Sequence, residues 1–184
     1  MRFWFEEKWL IEHPQCLLRY DQISENPPHR LLAVTKEEYL NSLDEFRLSH
    51  RYRKIPPTLE IKKWFLRYGK FFRHIALTAV PVKAAYVSAE WVFVHFGIWI
   101  RTFHFVPSLR KGQKIPQYDK NKKDFLKWMG KAGIFIDDNE ANLRACEELD
   151  IKGVLFPRPW NKSKLNIEET LISILKTKDN LDTH

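Results

Sequence analysis

Two rhythms of apolar and polar residues alternate along this chain, one of helical period and one of short unbroken apolar runs. Residues 2–12 set Phe5 and Trp9 four apart and Trp4 and Ile11 seven apart, which predicts a short helix closed near Pro14. Residues 15–34 contain Asn26-Pro27-Pro28 and few periodic positions, so they read as an irregular connection. Thr35 with Glu38 three residues on forms a capping box, and Tyr39, Leu43 and Phe46 supply the apolar stripe of a second helix. Residues 47–54 are basic and polar. Pro56-Pro57 then introduces a helix with Ile61, Trp64, Phe65 and Tyr68 on one face and Gly69 near its end.

From there the rhythms interleave. His74-Ile75-Ala76-Leu77 predicts a strand ending at Thr78, and Pro81 opens a helix carrying Val82, Ala85, Tyr86, Ala89 and Phe93. Residues 98–106 read as a strand, residues 108–120 as a basic loop, and Asn121 with Asp124 as the cap of a helix bearing Phe125, Leu126 and Met129. Ile134-Phe135-Ile136 is a buried strand that stops abruptly at Asp137-Asp138, followed by a helix through Leu149, a strand over residues 153–156 and a last helix with Leu171, Ile174 and Leu175. Strands alternating with helices imply parallel crossover units, hence an α/β fold with a doubly wound parallel sheet covered on both faces. Residues 1–54 form an N-terminal helix and a small helical cap region, and residues 55–184 the α/β core, in one structural unit.

Composition narrows the partners. The chain has 184 residues, 44% of them hydrophobic and 14% aromatic, enough for one globular unit with a sizeable core. A net charge of +8 favours anionic partners, either phosphorylated small molecules or nucleic acid. Cys16 and Cys146 have neither metal-site spacing nor a disulfide framework, so a reducing cytoplasm is the expected location. Met1-Arg2-Phe3-Trp4-Phe5 runs straight into Glu6 and Glu7, unlike a signal peptide. The most apolar region, residues 84–100, is interrupted by Glu90, His95 and Gly97 and reads as a core helix and strand, so no membrane is expected.

Candidate chemistry collects where parallel sheets bind ligands, at the C-terminal ends of the strands. Thr78, then Lys122 or Lys123, then Asp137 and Asp138 are met there in order. A hydroxyl donor, an ammonium and paired acids are the parts that hold a phosphoryl group and its Mg²⁺. Each has a plainer reading: Thr78 as a β-branched strand end, the lysines as a solvated face, Asp138 as the cap of the next helix. One cap needs one acid, however, and here there are two.

Leu77-Thr78-Ala79-Val80-Pro81, Lys122-Lys123-Asp124-Phe125-Leu126, Ile136-Asp137-Asp138-Asn139 and Phe156-Pro157-Arg158-Pro159-Trp160-Asn161 resemble the second, third and fourth motifs and the trailing loop of haloacid dehalogenase (HAD)-like phosphohydrolases. The branch they are most similar to is that of the 5′(3′)-deoxyribonucleotidases. Tyr20-Asp21-Gln22-Ile23-Ser24-Glu25-Asn26 and Val34-Thr35-Lys36-Glu37-Glu38-Tyr39 are similar to the segment that begins the helical cap there. The resemblance implies a Mg²⁺-dependent phosphomonoesterase acting on a phosphorylated small molecule, a nucleoside monophosphate. It implies that Thr78 and Ala79 bind the phosphate, that Lys122 or Lys123 neutralises its charge, that Asp137 and Asp138 hold Mg²⁺, and that Arg158 lies beside the site. The branch often carries a basic residue where this chain has Val80, which leaves Lys83 or Arg158 to supply that charge.

The chain departs from the family in one respect. The first motif, an Asp-x-Asp pair at the end of the first strand that supplies nucleophile and acid/base, has no counterpart before Thr78. Without it the activity is expected to be impaired or absent, leaving a non-catalytic, phosphate- or nucleotide-binding relative as the alternative. The family pattern puts the missing strand mid-sheet, between those ending at Thr78 and Asp137. Residues 1–12 resemble the helix that follows this motif. A less favoured reading makes residues 15–20 the missing strand and Asp21 the nucleophile, although Ile23 then stands where the acid/base belongs. Least favoured is a nucleic-acid-binding module using Arg110, Lys111, Lys114, Lys120, Lys122 and Lys123.

Overall fold

The computed structural model describes residues 1–181. The chain opens on consecutive helical turns, Arg2–Trp4, Phe5–Trp9 and Leu10–Glu12, together α1, of which the middle one is a π-turn. Arg2 and Glu6, four apart, pair at 2.9 Å along its outer side, while Trp4, Phe5 and Trp9 are buried. α2 (Lys36–Leu48) begins at the expected capping box, with Thr35 Oγ1 accepting from Glu38 N and Glu38 reaching back to Thr35 N. Tyr39, Leu43 and Phe46 from α2 meet the aromatics of α1 and Ile23 in one core. The N-terminal helices thus pack on an apolar nucleus of their own. The trailing loop joins it through Trp160, whose ring stands edge-on to Tyr20 at 6.4 Å.

The core beyond it is mixed α/β. α3 (Leu59–Tyr68) leads to β1 (His74–Val80), α4 (Val82–Phe96) to β2 (Ile100–Pro107), and a loop to α5 (Lys122–Met129). Next come β3 (Ile134–Asp137), α6 (Glu140–Arg144), β4 (Lys152–Leu155) and α7 (Ile167–Leu181). The strands pair in parallel, as the crossover pattern predicts, but in two separate sheets: β1 with β2, Leu77 opposite His104, and β3 with β4, Ile136 opposite Val154.

Helices cover both faces of the two strand pairs. Phe125 and Leu126 of α5 pack with Ile75 and Leu77 of β1 and with Phe135 of β3. Ile134, one residue from Phe135 and therefore on the opposite face, packs with Trp64 of α3 and with Leu171 and Ile174 of α7. Trp64 Nε1 donates to Leu171 O at 3.1 Å, and its ring lies edge-on to His74 at the start of β1. Both helical layers therefore bridge the two sheets.

Four local expectations change, the first being that β1 runs past Thr78, its expected end, to Val80, still paired with β2. The strand expected from residue 98 begins at Ile100, because Gly97 and Trp99 close a turn on Phe93 and Phe96. The helix expected through Leu149 ends at Arg144, followed by a 3-10 turn, Glu147–Leu149, that Asp150 terminates in the left-handed conformation. Residues 15–20 do not form the missing strand: Leu17 is 92% exposed and Asp21 sits in a 3-10 turn, paired with Arg19 at 2.9 Å in solvent. Asp21 is a surface carboxylate. Among the described residues no helix is long and apolar enough to cross a membrane.

Candidate functional site

β3 ends in the acid pair, and the two acids are treated differently. The side chain of Asp137 is 1% exposed and its oxygens are engaged: Oδ2 accepts from Lys122 Nζ at 2.5 Å, and Oδ1 from Asn139 N at 2.8 Å and Asn142 Nδ2 at 3.1 Å. A buried carboxylate needs such partners. Lys122 reaches it because it stands first in α5, which Asn121 opens by accepting from Asp124 N at 3.0 Å. The aliphatic stem of Lys122 also brings its ammonium 5.9 Å from the Phe135 ring centre.

Asp138 stands otherwise. The cap of α6 is Asn139, whose Oδ1 accepts from Ala141 N at 2.9 Å, so the capping role open to Asp138 is filled by its neighbour. Among the described residues no side chain donates to the Asp138 carboxylate. Burial, and then the charge of Asp137, push its pKa above the usual carboxylate value, against the opposing pull of Arg158 and Lys122. It is a half-buried acid that takes no part in capping α6.

The trailing loop is locked beside it. Asn161 Nδ2 donates to Asp138 O at 2.9 Å and to Phe156 O at 2.8 Å, while its Oδ1 accepts from Arg158 N at 3.3 Å. The Arg158 guanidinium lies over the Phe156 ring at 4.7 Å and makes no ion pair among the described residues. Burial, then the charges of Arg47 and Arg158, lower the pKa of the Met1 ammonium to about 6, with Asp138 opposing.

Lys122, Asp137, Asp138 and Arg158 line one cavity of about 610 Å³. The structure brings these four sequence candidates together and sorts the others. Lys123 turns outward to Glu148 at 2.8 Å, so of the two lysines it is Lys122 that reaches the acids. Thr78 lies on β1 opposite Phe105, and Ala79 follows it, exposed. Neither lines the cavity, although Ile75 and Leu77 of the same strand do. Lys83, the possible substitute charge near Val80, lies 3.5 Å from Asp44 Oδ2. Asn139, Asn142 and Asn161, none given a role from the sequence, hold the acids or the loop. For Asn139 and Asn142 the signal was local, two and five residues after a strand-end Asp; Asn161, far along the chain, gave none.

Among the described residues no group of three or more His, Cys, Asp or Glu is arranged to hold a metal ion. Mg²⁺ does not need three, since it is commonly bound through one or two carboxylates, several waters and substrate phosphate oxygens. Of the two acids, Asp137 is already engaged by Lys122, Asn139 and Asn142, and Asp138 is the one without a side-chain donor. No family model, curated protein or solved structure matches this chain.

Proposed function

We propose that this chain binds a nucleoside monophosphate together with Mg²⁺ in a site of the HAD nucleotidase type, and does not by itself turn the ester over. The observation that carries this reading is Asp138, a half-buried carboxylate beside Asp137 that receives no side-chain hydrogen bond and shares a cavity with Lys122 and Arg158. Burying a second acid next to a first is costly unless a cation compensates it.

In this reading Asp138 would hold Mg²⁺, with Asp137 beside it kept in place by Lys122, and the bound ion would neutralise charge on the phosphoryl oxygens. Arg158, without a carboxylate partner of its own, takes a phosphate oxygen in bidentate fashion. Lys122 holds Asp137 in place and adds positive charge. Thr78, two residues before the end of β1 and outside the cavity lining, takes no part in this reading, and the N-terminal helical region selects the leaving group. No carboxylates other than Asp137 and Asp138 line the cavity, so the attacking group and the acid/base are the parts not supplied. The nucleic-acid reading loses support because Arg110 and Lys122 are committed to the buried acids Asp44 and Asp137.

The test is thermal denaturation of the purified chain with nucleoside monophosphates, with and without Mg²⁺, alongside phosphate release. The expected result is a rise in Tm that needs both ligand and metal, is lost in Asp138→Asn, and comes with little or no phosphate release. Absence of any shift at saturating nucleotide and Mg²⁺ would overturn the reading.

A further inference from the structure

α3 buries one side against α7, where Trp64 packs with Ile61, Phe65 and Tyr68 around it. At about 3.6 residues per turn, Leu59, Lys62, Lys63, Leu66 and Arg67 fall on the opposite side, and all five are exposed. The 3-10 turn that follows, Gly69–Phe71, adds exposed Lys70 and Phe71. Two kinds of side chain are mixed on this surface. Leu59 and Leu66, seven residues apart, are 60% and 65% exposed, and Phe71 is 55% exposed. Around them stand Lys62, Lys63, Arg67 and Lys70, none paired with a carboxylate among the described residues. Glu60 is the single acid from residue 59 to residue 71. The turn after α4 extends the surface. Trp99 packs on Phe65 at 5.5 Å and so near Gly69 that a β-carbon there would lie 2.7 Å from its ring, which sets exposed Ile98 beside the end of α3.

We propose that this side of α3 docks on the surface of an anionic lipid bilayer. The helix lies in the plane of the membrane, Leu59, Leu66 and Phe71 enter the boundary between headgroups and acyl chains, and the four cations meet the anionic headgroups. Helices that lie in a membrane interface combine these residue types, Leu and Phe for insertion and Lys and Arg for attraction to anionic lipid. The long lysine stems let the leucines sink while the ammonium groups stay among the headgroups. With ten residues, α3 is too short to span the membrane, so the contact is superficial. A nucleic acid would satisfy the cations but offers the leucines nothing to bury into, since single strands are bound by aromatic platforms and duplexes by side chains that hydrogen-bond to phosphates and base edges. A protein partner fits less well, because the buried centre of such interfaces is depleted in lysine, and here lysines interleave with the leucines. None of these residues lines the cavity that holds Asp137 and Asp138, so the inference does not rest on the nucleotide reading.

The experiment is co-sedimentation of the full chain with vesicles of phosphatidylcholine alone and of phosphatidylcholine with phosphatidylserine at about two to one. Three double variants are compared: Lys62→Glu with Lys63→Glu, Leu59→Gln with Leu66→Gln, and, as a control of equal charge change on the basic loop, Lys114→Glu with Lys120→Glu. All six positions are exposed, and an unchanged Tm verifies each fold. The expected result is binding to the serine-lipid vesicles and not to phosphatidylcholine alone, weakened about tenfold or more by either α3 pair and by about twofold or less by the control. Absence of binding to the anionic vesicles overturns the proposal. An equal loss in the control also overturns it, by assigning the binding to net charge. Binding that the leucine pair leaves intact, or that an oligonucleotide displaces at lower concentration than it takes to saturate the vesicles, overturns it in favour of a polyanion surface. The nucleotide-dependent rise in Tm is expected to survive both α3 pairs, so failure of the lipid surface and failure of the phosphate site are distinguishable.

Discussion

Arg110 closes on the buried carboxylate of Asp44 through two hydrogen bonds, from Nε at 2.7 Å and from Nη2 at 2.8 Å. Asp44 belongs to α2 and Arg110 to the basic loop after β2, so this pair ties the N-terminal helices to the α/β part of the chain. Arg47 at 3.3 Å and Lys83 at 3.5 Å complete the surroundings of the same acid. Removing one partner of a buried ion pair leaves the other charge uncompensated, and here three cations face a single carboxylate. Asp44→Ala is expected to cost about 3–5 kcal/mol in denaturant unfolding. A loss below that of an ordinary surface substitution would show that the pair does not hold these two parts together.

The two adjacent lysines are expected to separate in the same assay. Lys122→Met leaves the Asp137 carboxylate buried with only the Asn139 amide and Asn142 as donors, at an expected cost of about 3 kcal/mol. Lys123→Met removes an exposed pair with Glu148 and is expected to change stability by about 0.5 kcal/mol or less. Equal effects would mean that Lys122 is not the lysine bound to Asp137.

Asp138→Asn is expected to stabilise the chain in the absence of ligand by about 1 kcal/mol, the usual gain when a functional site is relieved of an unfavourable group. The sign follows from linkage. Burial and Asp137 raise the folded pKa of Asp138 above the unfolded value of 3.8, so the folded state holds this proton more tightly than the unfolded one. Stability contributed by the protonated form is present at low pH and lost as pH rises through the folded pKa. The advantage of the asparagine therefore grows over that interval and is constant above it. Stability curves for both proteins between pH 3 and pH 8 check this, and a variant less stable than the parent at neutral pH would contradict it.

His74 gives the opposite pH dependence. Its ring packs among Trp64, Phe65 and Phe72, and Nε2 donates to Gly69 O at 2.8 Å. Burial lowers its folded pKa below the ordinary 6.5, so the unfolded chain binds the proton more readily. Its contribution to stability is full above pH 6.5 and falls as pH drops through the folded pKa. Comparing urea midpoints at pH 7.5 and pH 5.5 is expected to show a loss that His74→Gln diminishes; an undiminished loss would assign it to other groups.

Much of the fold was legible because it is written in local spacing. The capping box at Thr35, the Asn121 cap and the Ile134-Phe135-Ile136 run ending in acids all give the elements they predict. The cavity acids Asp137 and Asp138 were legible too, since a strand that ends in two carboxylates is visible without knowing its neighbours. Arg110 was not. In the sequence it belongs to a basic, solvated-looking loop, and only the approach of α2, 66 residues earlier in the chain, buries its partner. Asp138 likewise competed with Asn139 to cap α6, and the backbone conformation at Asn139 settled which of them does.

The sequence by itself therefore determined where helices and strands lie, that the strands run parallel, and which acids terminate β3, because periodicity, capping and turn chemistry act over a few residues. The tertiary structure decided that Lys122 rather than Lys123 meets Asp137, and that the four strands pair as two separate sheets, β1 with β2 and β3 with β4. These outcomes depend on contacts between residues far apart in the chain, where packing, burial and backbone hydrogen bonding select among arrangements that local patterns leave equivalent.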